Sequence, residues 1–68
     1  MEQIFYVTKL KNRNYNVKTT YNNYQIIMDS VKGICIYMDT TDKSILIKSY
    51  RHLNVNTAIT YLFNKEML

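Results

Sequence analysis

Few residues in this chain are of the types that commonly do chemistry, and their spacing limits them further. There is one thiol, Cys35, and one imidazole, His52. Cys35 lies between Ile34 and Ile36 in a strand-like run, where a buried and inert thiol is the ordinary case. His52 falls at a strand-to-helix junction and suits a surface or capping role better than that of a general base. Asp29, Asp39 and Asp42 sit at expected strand ends and turns, and no further-ligand pattern for a metal accompanies them. One Cys and one His do not make a structural zinc site, and one glycine cannot form a phosphate-cradling loop. The expectation is a protein that is not an enzyme and takes neither cofactor nor metal.

Binding chemistry is better supplied, in residues 9–24. That stretch interleaves Lys9, Lys11, Arg13, Tyr15, Lys18, Tyr21 and Tyr24 with no acid among them. Cations attract phosphates, and exposed bases stack on aromatic rings. Protein interfaces use tyrosine and methionine too, and seven tyrosines and four methionines are more than so small a body can bury. The competing reading turns Tyr15 and Tyr21 into the core and leaves the lysines as charges that keep an edge strand from aggregating. A net charge of +4 is a modest excess for a nucleic-acid binder.

The elements that must position these residues form one domain, residues 1–68. A core in a chain of this length supplies about 3–5 kcal/mol without staples. A lone cysteine excludes an internal disulfide, so idealised packing or oligomerisation must make up the difference, and a homodimer or a protein held on a partner is the expected form. Residues 14–20 alternate Tyr15, Val17, Thr19 and Tyr21 with polar side chains, the pattern of a half-buried strand. Three further strands are expected at residues 24–30, 33–39 and 44–50, with turns at Asn22-Asn23, at residues 30–33 and at residues 40–43. Apolar residues on both faces of the inner strands predict cover on both sides, by helices or by another subunit. Asn54 reads as the N-cap of a helix whose apolar positions are Val55, Ala58, Ile59, Leu62 and Phe63. Residues 2–12 have strand propensity, but Glu2 at one end and Lys9 and Lys11 at the other complement a helix dipole. We read them as a helix. The expected class is α+β: a four-stranded antiparallel meander with a C-terminal helix packed on it and an N-terminal helix.

The longest apolar run, residues 4–7, is far too short to span a membrane, and residues 1–10 lack the pattern of a secretory signal. With its single thiol the chain reads as cytoplasmic. Abundant asparagine, lysine, isoleucine and tyrosine, whose codons are AT-rich, hint at a phage or mobile element.

The run Val7-Thr8-Lys9-Leu10-Lys11-Asn12-Arg13-Asn14-Tyr15-Asn16-Val17-Lys18 resembles the entry of small phage anti-CRISPR proteins that inhibit the type II CRISPR nuclease. In those, a short helix ends in a Lys-Asn pair and leads into a Tyr-x-Val-Lys strand and a small antiparallel sheet. The best-matched relatives are acidic and imitate DNA phosphates. This chain is basic, so neither that mechanism nor any functional residue transfers. The resemblance implies an inhibitor that binds a host protein or nucleoprotein complex. The alternative is a small basic nucleic-acid-binding module. Both would use Arg13, Tyr15, Lys18, Tyr21 and Tyr24, with Lys9 and Lys11 beside them.

Overall fold

The structure, a computed structural model, describes residues 2–68. It contains strands β1 (Phe5–Lys9), β2 (Tyr15–Thr19), β3 (Asn23–Asp29), β4 (Gly33–Asp39) and β5 (Ser44–Tyr50), followed by helix α1 (Val55–Met67). The strands form one antiparallel sheet whose spatial order is their sequence order.

The expected N-terminal helix is therefore a strand, and the sheet has five strands rather than four. The β-branched and aromatic character of Phe5, Tyr6, Val7 and Thr8 wins over the charge pattern. Pairing with β2, from Phe5↔Thr19 to Lys9↔Tyr15, gives the segment backbone partners that a short helix without a packed face would not add to. The joining turn is closed by the Leu10 N–H donating to the Asn14 carbonyl (2.7 Å), and it holds Arg13 at a φ of 69°.

Hydroxyl and carboxylate side chains shape the other turns. The β2–β3 turn centres on Thr20 and Tyr21, not on the expected Asn22-Asn23. Thr19 Oγ1 accepts from the N–H groups of Tyr21 (3.3 Å) and Asn22 (3.0 Å), so no positive φ is needed there. Asn23 is already in β3. After β3, Asp29 Oδ1 accepts from Val31 N–H and Lys32 N–H (2.8 Å each), and Gly33 turns the chain at a φ of 96°. Thr40 plays the corresponding part before β5, accepting from Lys43 N–H at 3.1 Å.

The pleat sends Val17, Tyr24, Ile26, Ile34 and Ile36 to one face, where they are buried together with Ala58 and Leu62 of α1. As expected, Asn54 caps α1, its side chain accepting from Asn56 N–H at 3.1 Å. A register shift at Ile36/Tyr37 leaves Ile47 as an extra residue in β5, packed against the core. Phe63 closes one side by meeting Phe5 edge-on, ring centroids 5.2 Å apart.

Within the described chain, α1 covers one face of the sheet and no second helix covers the other. The open face carries half-buried Ile27, Cys35 and Tyr37, with Leu46 52% exposed. Beside these runs a polar row. Asn16 donates to Asn23 (3.2 Å), while Asn23 (2.7 Å), Gln25 (3.1 Å) and Ser44 (2.7 Å) donate to the Asp39 carboxylate. Those bonds, Ser44 first, hold the Asp39 carboxyl below its ordinary range. Among the described residues, no helix is long and apolar enough to cross a membrane.

Candidate functional site

The meander turns alternately at two ends. One end gathers the β1–β2 turn, the β3–β4 turn and the segment from Tyr50 to the start of α1. Two contacts tie them into one surface. Asn14 Oδ1 accepts from Met28 N–H at 2.9 Å, and Gly33 lies against Tyr50 O and the Arg51 backbone. Lys9, Lys11, Arg13, Lys32 and Arg51 are all exposed there. The one acid at this end among the described residues, Asp29, is engaged. Hydrogen bonds from Lys32 N–H and Val31 N–H hold its carboxyl below the ordinary range. Helix α1 starts here with no acid in its first turn, so the positive end of its dipole adds to the field. The opposite end holds Asp39, Asp42 and Glu66 alongside Lys43 and Lys65.

The stretch of residues 9–24 is thus not one surface. Lys9, Lys11 and Arg13 lie at the basic end. Lys18 is on the open face, opposite Tyr6 in the β1 register, and Tyr21, 69% exposed, is in the β2–β3 turn at the far end. Tyr15 is half-buried against the core. Tyr24 has no exposed surface and is removed from the candidate set. Strand alternation sends it inward, and its hydroxyl donates a hydrogen bond to the Glu66 carboxylate. Burial, then that carboxylate, push the Tyr24 phenol far above its ordinary range. For Glu66, burial pushes up. Hydrogen bonds from Tyr24, Asn22 (2.8 Å) and Thr19 (2.9 Å) outweigh it, and the carboxyl ends below its ordinary range. This cluster fastens the last turn of α1 to the β2–β3 turn.

Sequence reasoning missed Lys32 and Arg51, which are distant along the chain from residues 9–24. It also missed a cleft of about 500 Å³ between β5 and α1, lined by Tyr50, Asn56, Thr57, Thr60, Tyr61 and Asn64. Lys48 Nζ lies 5.4 Å from the Tyr50 ring centroid and 5.7 Å from that of Tyr61. His52 stacks on Tyr50 at 5.2 Å, and its Nδ1 accepts from Asn54 N–H at 3.1 Å. The available signal was the i, i+4, i+8 spacing of Asn56, Thr60 and Asn64, which puts three short polar side chains along one line of α1.

The catalytic candidates do not converge. Cys35, half-buried on the open face, pairs with Ser49, while His52 follows β5 and is engaged with Tyr50 and Asn54. Asp29 and Asp39 stand at opposite ends of β3 and β4. Among the described residues, no three His, Cys, Asp or Glu side chains are placed to hold a metal ion. Comparison with protein-family models, curated proteins and solved structures returns no significant match to this chain.

Proposed function

We propose that this chain is a small non-enzymatic binding protein that engages nucleic acid, free or within a nucleoprotein complex, through its basic end. One observation carries the reading. Five exposed cations from three separate segments meet on one surface, beside a helix N-terminus, and the one carboxylate there among the described residues is occupied by backbone N–H groups. Such a surface suits a ligand with closely spaced negative charges, because each phosphate neutralised releases a counterion. The test is the affinity for a labelled oligonucleotide over a series of salt concentrations. If all five cations contact phosphates on a single strand, log K falls with log salt at a slope of about −3.5. Lys32→Ala and Arg51→Ala each make that slope shallower, by roughly one contact's worth. Lys43→Ala and Lys65→Ala, at the other end, leave it unchanged. Equal effects from both ends would overturn the assignment.

A second reading is favoured by the open sheet face, where Ile27, Cys35, Tyr37 and Leu46 form an apolar strip across β3, β4 and β5. Here the chain would be a phage-borne inhibitor that docks that face on a host protein. Such a contact resists salt and is lost on Leu46→Asp, whereas the basic-end variants leave it intact.

A further inference from the structure

The cleft between β5 and α1 adjoins the basic end. Tyr50 is the last residue of β5, Arg51 and His52 follow it, and Asn56 and Thr57 belong to the first turn of α1. The cleft is a shallow, open depression of about 500 Å³ rather than an enclosed cavity. The lining mixes apolar ring surface with polar side chains and carries no acid. It offers the Tyr61 ring from the helix, the Tyr50 ring from the strand, on which His52 already stacks, and the amides of Asn56 and Asn64, both exposed. The Lys48 ammonium lies within reach of both rings.

We infer that this cleft receives an unpaired nucleobase, so that the protein prefers single-stranded nucleic acid to duplex. The inference rests on the nucleic-acid reading above and adds the substrate class. A flat aromatic heterocycle stacks on tyrosine whatever its identity. Asparagine amides carry both donors and acceptors, so Asn56 and Asn64 suit the mixed edge of a base better than a purely anionic or purely apolar group. Lys48, now over the rings, would be turned out towards the phosphate of the inserted nucleotide, with Arg51 next along the strand. Bases inside a duplex are stacked and paired and cannot enter a cleft of this kind without being extruded. Charge alone argues the other way: duplex DNA releases more counterion per contact than a single strand, so a basic surface without a base site favours duplex. A single-strand preference therefore reports the cleft rather than the cations.

The experiment is fluorescence anisotropy with a labelled oligonucleotide of about 12 nucleotides, alone and annealed to its complement. The expected result is at least about tenfold tighter binding of the single strand, with Tyr61→Leu and Asn64→Ala each reducing that preference while salt dependence persists. Tyr61→Leu keeps apolar bulk against the core, and Asn64 is exposed, so the pair together guards against loss of fold; circular dichroism of each checks it. Equal affinity for both forms, or a preference that neither variant changes, overturns the cleft assignment and leaves the basic-end reading standing. No salt-sensitive binding of either form overturns both.

Discussion

Replacing Gly33 with alanine tests how the basic end is assembled, because this residue joins two of its three segments. The residue has a φ of 96°, which costs an L side chain about 1–2 kcal/mol. The larger difficulty is space. An added Cβ would fall 2.1 Å from the Tyr50 carbonyl oxygen and 2.9 Å from Arg51 C and Cα, and Cβ atoms essentially never come within 3.0 Å of a neighbour. All three are backbone atoms, so no side chain can swing aside. The β4–β5 ladder must shift where Ile34 pairs with Tyr50, beside the buried Ile34 side chain. Forced displacement in a packed region costs about 1–3 kcal/mol. The two terms together reach roughly 2–5 kcal/mol, comparable with the whole stability of a domain this size. Urea unfolding followed by circular dichroism measures the cost. The expected midpoint lies close to zero urea, with amide shifts in the folded fraction largest at Tyr50 and Arg51. A loss below about 0.5 kcal/mol, the scale of an ordinary surface substitution, would refute the close approach.

Other outcomes follow from the helix and its fastening. Leu62→Ala removes a fully buried side chain between α1 and the sheet and should cost about 2–5 kcal/mol by thermal or urea unfolding; a midpoint that barely moves would mean the helix does not close the core. Glu66→Gln weakens charge-assisted bonds to Tyr24, Thr19 and Asn22 and should cost about 1–3 kcal/mol at neutral pH. Because the Glu66 carboxyl sits below its ordinary value of 4.5 when folded, its contribution is present above that pH and is lost as pH falls through the lowered value. The wild-type acid limb should therefore be steeper than that of Glu66→Gln; identical limbs would deny the bonds. Tyr24 acts at the other extreme. Its phenol is raised when folded, so its share of stability holds below pH 10.0 and drains away above it.

Four strands and the helix were readable because local chemistry and burial agree there. Gly33 marks a turn that needs a positive φ, Asn54 is a true N-cap, and Tyr24, Ile26, Ile34 and Ile36 alternate because one face is packed. β1 was misread for the same reason inverted. It is an edge strand in which only Phe5 is half-buried, so nothing enforces an alternation that would identify it. The sheet order also explains what the candidate stretch concealed. Residues near one another in sequence alternate between faces, so Lys18 and Tyr24 part company, while Arg13, Lys32 and Arg51, from three different turns, share one surface. The cleft depends on how α1 lies over the sheet beside Tyr50, and no spacing within either element encodes that placement.

The agreement between spatial and sequential strand order has a kinetic consequence. Every pairing in this sheet joins a strand to the next one along the chain, so each hairpin can zip onto the last without closing a long loop. Assembly should be quick for a β-rich chain, with turn residues such as Thr19 and Asp29 governing how fast the sheet forms. The helix, whose Glu66 must find Thr19 across most of the chain, would dock late, and its contacts would set chiefly how slowly the finished molecule comes apart.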